Sequence, residues 1–229
     1  MMEKCNYRKD PHQDIDHVFR DLLPAHGMVE RPAQVELSHQ MLDTMLNGSI
    51  ALCDAGTGIG KTYAYLVAGV VFRRYRSRAG LPNQPLLIST SSIALQGAII
   101  HDYLPFLSKV MMADGMLDSP LRAVLRKGKS HYVCDARLMK RLQTANLDRK
   151  NPLAKAALLS MRDHLDLDMA PHLSGYDRER ICVPPTCDCG KTECRYLCYL
   201  DVCASERYAI QVCNHNLLLA DAIHQGSGK

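Results

Sequence analysis

Apolar residues Ile15, Val18, Phe19 and Leu22 recur at i, i+3, i+4 and i+7, which lays one apolar stripe along an α-helix. Pro24 and Gly27 stand where that helix should end. In "RPAQVELSHQMLDTMLNG" (31–48), Pro32 suits a first helical turn and Gly48 a stop, with Val35, His39, Leu42 and Leu46 on one side. The pattern then changes from stripes to runs. "SIALC" (49–53) and "PLLIST" (85–90) are short apolar runs of the kind that buried strands show. Each precedes a helix-forming stretch, "KTYAYLVAGVVFRRYR" after the first and "SIALQGAIIHDYLPFL" after the second. Strand–helix–strand–helix predicts an α/β fold with a parallel sheet. From about 111 to 207 no comparable strand is expected, only basic helical stretches and a proline turn at "VPPT". "YAIQVCNHNLLLADAI" then restores a strand and a helix start. The expected organisation is therefore 1–110 as the first part of an α/β domain, 111–207 as an insertion, and 208–229 as the return to that domain.

Charge and composition sharpen this picture. No apolar run exceeds the ten residues of "YAYLVAGVVF", short of the ~18 that a membrane span requires. The opening stretch "MMEKCNYRKDPHQD" has no hydrophobic signal core, so a soluble, cytoplasmic chain without membrane contact is expected. In that compartment ten cysteines suggest metal binding or reactivity before disulfides. The net charge is +4 but unevenly spread: residues 122–150 hold nine Lys/Arg against Asp135 and Asp148, and "FRRYRSR" (72–78) adds four arginines. Segregated positive charge suits a polyanion such as nucleic acid, or else a solvated basic helix face.

The turn between the first run and its helix is "AGTGIGKT" (55–62), the phosphate-loop form with Ala55 in place of the first glycine. Gly56, Gly58 and Gly60 free the backbone, with Thr57 and Ile59 between them, to aim N–H groups at phosphates. Lys61 is placed to reach the terminal phosphates and Thr62 to ligate magnesium, at the positive end of the following helix. Lys61 and Thr62 are thus the expected catalytic pair, and all eight positions are expected to contact a nucleoside triphosphate.

A second cluster, "CDCGKTECRYLC" (187–198), packs four cysteines into twelve positions. Four thiolates can hold zinc or an iron–sulfur cluster. The spacings are x1, x4 and x3, with no C-x2-C knuckle of the kind zinc ribbons present. Cys53 and Cys213, in expected strands, read as small core residues, and Cys5 as an idle thiol. Cys182 and Cys187 read as spare.

In their order, "RPAQ", "DAGTGIGKTYAYLVAG", "STSSIALQ", "LRKGKSHYVC", the cysteine cluster and "VCNHNLLLAD" resemble the DinG-type DNA helicases, relatives of XPD in superfamily two. The resemblance implies a RecA-like P-loop motor domain with a parallel sheet, interrupted by a mostly helical four-iron–four-sulfur (4Fe-4S) insertion. It implies ATP, Mg2+ and single-stranded or forked DNA as ligands. It places Arg31 and Gln34 at the nucleotide base, and Ser89, Thr90 and Gln96 beside single-stranded DNA. It makes Cys134, Cys189 and Cys194 cluster ligands. The family's last ligand would fall at Leu200, so Cys198 or Cys203 must serve, and Cys198 is the assignment taken. The family's DEAH box and second motor half do not occur in this sequence. The expectation is an N-terminal helicase portion, not active in unwinding alone, with a separate C-terminal half as an implied partner. The rival is a P-loop protein with a zinc-binding nucleic-acid module.

Overall fold

A computed structural model describes residues 10–145, 151–187, 194–205 and 207–226, with side chains to residue 223 in the last segment. The chain divides into two units, residues 1–125 with 206–214, and residues 126–205 with 215–229.

The first unit opens with helix α1 (Pro11–His17), a π-helical turn at Val18–Leu22, and α2 (Leu23–Ala25). The same device recurs where α5 (Ile93–Ala98) passes through a π-helical Ile99–Tyr103 into α6 (Leu104–Ala113). Both wide turns end two residues before a proline, Pro24 or Pro105. Leu23 N–H donates to the Val18 carbonyl and Leu104 N–H to Ile99, each five residues back. A proline ring has no N–H and crowds the carbonyl four residues before it. The wide turn relieves that crowding and lets the helix reach Ala25, where it ends between Pro24 and the left-handed Gly27 as expected. Helix α3 (Pro32–Leu46) forms as the periodicity predicts. Val35 and Leu42 are buried, but Leu46, in the last turn, is 37% exposed, and the buried face takes in Gln34 and Ser38 instead.

Helix α4 (Lys61–Arg78) buries an almost unbroken run from Leu66 to Val71. It packs on α3, where Ser38 Oγ donates to the Ala64 carbonyl at 3.1 Å, and against β1 (Leu86–Ser89). At Gly69 an added Cβ would lie 2.4 Å from Leu86 Cδ1, so glycine is what permits this close approach. The sheet has three parallel strands in the order β1–β3–β2, with Leu86 opposite Ile210 and Ala123 opposite the same residue. The central strand β3 (Ile210–Cys213) is buried throughout. Strand β2 (Ala123–Leu125) lies in the stretch where no strand was expected; three residues between Arg122 and Arg126 are too few for an apolar run to register. The expected strand at 49–53 is absent. Those residues are extended and exposed, with Ile50 95% and Leu52 98% accessible, and pair with no described strand. Cys53 is exposed with them, whereas Cys213 is buried as expected.

The second unit contains α7 (Asp135–Thr144), α8 (Pro152–Ser160), α9 (Gly175–Ile181), α10 (Arg195–Ala204) and α11 (His215–Gly226). Its core gathers Val133, Leu138, Leu158, Met161, Leu167 and Ile181, and its only described β pairing is two isolated bridges, Tyr132 to Asp166 and Val133 to Cys182. Charged residues brace it. Lys127 Nζ lies 2.6 Å from Asp166 and 2.7 Å from Asp168, Arg178 reaches Asp168 at 2.6 Å, and Arg126 pairs with Asp221. Arg141 Nε donates to the fully buried Asp177 carboxylate at 2.7 Å.

The overall result is an α/β chain with a small parallel sheet and many helices. Among the described residues no helix is long and apolar enough to cross a membrane.

Candidate functional site

The phosphate loop lies between the exposed 49–54 stretch and α4. Gly58 and Gly60 take φ of +85° and +87°, the left-handed region that a side chain resists. Gly60 is under a second constraint. A Cβ there would lie 2.1 Å from the Gln34 amide nitrogen, because that amide donates to the Gly60 carbonyl at 2.7 Å. One α3 turn earlier, Arg31 donates to the Gly58 carbonyl at 2.8 Å. Residues 31 and 34, expected at the base, therefore buttress the two strained glycines of the loop. They also line a cavity of about 390 Å³ with Val29, Thr62, Tyr63 and Tyr103.

Lys61 opens α4 and bends back on the loop, donating from Nζ to the carbonyls of Ala55 and Gly56 at 2.8 Å each. Gly56 and Thr57 are exposed, while Ala55, Ile59 and Thr62 are half-buried. The Thr62 hydroxyl shares a hydrogen bond with Tyr65, whose phenol is pushed up mainly by burial. Tyr63 and Tyr103 meet edge to face, ring centres 5.2 Å apart, and burial raises Tyr63 as well. Neither tyrosine is singled out by the sequence. Tyr63 follows the loop motif directly, and Tyr103 arrives through the π-helical turn, which carries no periodic signature.

The segment 89–96 is knit by local bonds. Gln96 is buried and donates to the Thr90 carbonyl at 2.9 Å, Thr90 Oγ1 accepts from Ser92 N–H, and Ser92 caps α5. Ser89 and Thr90 remain half-buried.

In the second unit, Cys134 and Cys194 are the residues immediately before α7 and α10. The next residue of each helix makes an ion pair, Arg195 Nε to Asp135 at 2.8 Å, so the two helix starts are pinned side by side. Cys198 lies one turn into α10, its N–H bonded to the Cys194 carbonyl. Cys134 is buried among Tyr132, Val183, Tyr196 and Tyr199. Tyr132 and Tyr199 share a hydroxyl bond of 3.2 Å; burial, reinforced by that bond, drives the Tyr199 phenol far upward. Cys203 is buried and raised by burial. Cys189 and Cys5 lie outside the described residues. Among the described residues no three His, Cys, Asp or Glu side chains group closely enough to hold a metal ion. The described thiols therefore form no complete ligand set.

Among the described residues of the basic stretch, Arg126, Lys127, Lys129, Arg137 and Arg141 have internal partners. Besides the ion pairs already given, Lys129 donates to the Pro185 carbonyl and Arg137 to the carbonyls of Cys182 and Glu179.

No protein-family model matches the chain, and no solved structure matches it. Curated proteins do. The "3'-5' exonuclease DinG" of Bacillus subtilis is 30% identical over 144 residues, 63% of this chain and 14% of that protein. The "ATP-dependent DNA helicase YoaA" of Haemophilus influenzae is 30% identical over 129 residues, 56% of this chain and 18% of that protein. The "ATP-dependent DNA helicase DinG" of Photobacterium profundum is 35% identical over 85 residues, 37% of this chain and 10% of that protein. The chain spans less than a fifth of the length of these relatives. Over about half its own length the chain is thus similar to DinG and YoaA proteins, the DinG-type likeness that its motif order implied.

Proposed function

We propose that this chain contributes the nucleotide-binding part of a DinG-type, ATP-dependent DNA helicase motor with a RecA-like fold. The observation that carries this reading is the loop 55–62, with left-handed Gly58 and Gly60 held from behind by Arg31 and Gln34. The adjoining cavity, with its tyrosine pair, is of a size to receive a base. Phosphates entering the loop take over the Lys61 ammonium from the carbonyls of Ala55 and Gly56. Thr62 would hold Mg2+, which would neutralise phosphate charge. Titration with a fluorescent ATP analogue tests this. Lys61→Ala should weaken binding at least about tenfold, since it removes a charge-assisted contact. Equal affinity in the two proteins would overturn the reading.

The cluster reading assigns four thiolates, Cys134, Cys189, Cys194 and Cys198, to a 4Fe-4S group, with Cys203 in reserve. Its support is the donor chemistry and the pinning of two helix starts by Arg195 and Asp135. Anaerobically purified protein should carry about four irons, and Cys134→Ser should lose them. One stoichiometric zinc and no iron would favour the zinc-module alternative.

A further inference from the structure

Far along α4 from the phosphate loop, the first unit has a second cleft, of about 480 Å³. Five arginines line it: Arg73, Arg74 and Arg78 from the end of α4, Arg122 from the approach to β2, and Arg207 from the approach to β3. Three separate chain segments therefore converge on one cleft, and every cation they bring is a guanidinium. The convergence is fixed by backbone bonds: Ala209 N–H donates to the Arg122 carbonyl at 2.8 Å, which holds the two strand starts together.

The opposing charge is small. Asp14, nearly buried, takes Arg78 at 3.1 Å and Arg74 at 3.3 Å, and among the described residues Asp118 is the one carboxylate in the lining. Arg73 donates to the Gln84 carbonyl. Arg122 and Arg207 stand exposed at the rim. Burial and the neighbouring Arg78 both press Arg74 downward, against Asp14, Asp114 and Asp118, so added negative charge would relieve the site. Among the described residues no aromatic side chain lines the cleft, so they offer no platform for stacking a base. Planar guanidinium forks without a stacking surface select phosphate oxygens over bases.

We propose that this cleft is a second phosphate-binding site, which takes the phosphates of a multiply charged ligand independently of the phosphate loop. The chemistry is shared by a free oligophosphate and by the backbone of a single nucleic-acid strand.

Calorimetry on the intact chain tests this, with inorganic tripolyphosphate in magnesium-free, low-salt buffer. Lys61→Ala disables the loop and should leave one site. Adding Arg122→Glu and Arg207→Glu, both exposed, should weaken that site by at least about tenfold. Circular dichroism checks the fold, and the paired Arg→Gln variant, which removes charge without reversing it, should act in the same direction. A labelled oligothymidylate on Lys61→Ala then separates the sources. Binding at this site, lost with the two arginines and displaced by tripolyphosphate, identifies the backbone. Tripolyphosphate binding without arginine-dependent oligonucleotide binding identifies the free anion. If the Lys61→Ala protein binds neither ligand, or if the folded arginine variants bind as tightly as their parent, the proposal is overturned.

Discussion

The two units use charge in opposite ways. The first is built on apolar burial: Leu66, Val67, Leu107 and Met111 are fully inaccessible, and its cations gather at the end of α4 and the strand starts. The second has a smaller apolar core and threads ion pairs through it, down to an aspartate with no exposure at all. Clustered Lys and Arg in a sequence thus have two meanings. At Arg73, Arg74 and Arg78 they gather, half-buried, along a cleft, with Arg74 and Arg78 held by Asp14. At Arg126, Lys127 and Arg141 they mark struts whose partners, Asp166, Asp168, Asp177 and Asp221, lie downstream in the chain.

Breaking a strut should produce the largest effect. Arg141→Ala removes the cation that donates to the fully buried Asp177 carboxylate, a loss of up to about 3–5 kcal/mol. Hydrogen exchange should show protection collapsing within 126–205 while residues 61–113 keep theirs. In the first unit the comparable blow is apolar. Leu66→Ala should cost about 2–5 kcal/mol in denaturant unfolding, because it opens a cavity in a closed core. Gly60→Ala combines left-handed strain with a clash against Gln34. It should cost about 1–3 kcal/mol and abolish binding of the ATP analogue, which Leu66→Ala should not do while the protein is folded.

A smaller effect distinguishes the units by pH. Burial pushes the Asp168 carboxyl up, but hydrogen bonds from Lys127 and Arg178, and then His131, hold it well below its ordinary value of 3.8. A depressed folded value means that the ionised group stabilises the fold. That contribution is complete above 3.8 and is lost as the pH falls below it, through the lower folded value. Proteolytic cutting within 126–205 by an acid-active protease should therefore rise between pH 5 and pH 3, and Asp168→Asn should show the faster cutting already at pH 5. The smallest effect belongs to Gly69→Ala. Only the flexible end of Leu86 stands in the way, so the melting temperature should move by no more than about 2–4 °C.

Helices α3 and α4 were legible because their periodicity and end signals agree with their packing. Strands β1 and β3 were legible as apolar runs. Ile50 and Leu52 misled because an apolar run promises burial only where a neighbouring strand is present, and none of the described strands pairs with it. Strand β2 was hidden by its brevity. Met111, Met116 and Met161 are buried as packing residues should be, whereas Met112 and Met139 face outward, since composition carries no facing. At the site, the loop residues were readable from their spacing. That Arg31 and Gln34 grip Gly58 and Gly60 was not, because hydrogen bonds between residues so far apart in sequence leave no periodic trace. The cysteines were countable, but the ion pair that aligns two of them depends on Asp135 meeting Arg195 across sixty positions.

The sheet order has a consequence for how the protein is made. Its middle strand is the last to be synthesised: β1 and β2 both pair with residues 210–213 and not with each other. On the ribosome, Leu86–Ser89 and Ala123–Leu125 must wait, unpaired, for well over eighty further residues to emerge before either finds its neighbour. At ~5–20 residues per second this is a delay of about 4–25 seconds, in which the helices can form but these three strands cannot join. Release of the nascent chain before residue 213 would leave two edge strands with no centre, a species suited to chaperone capture or to aggregation.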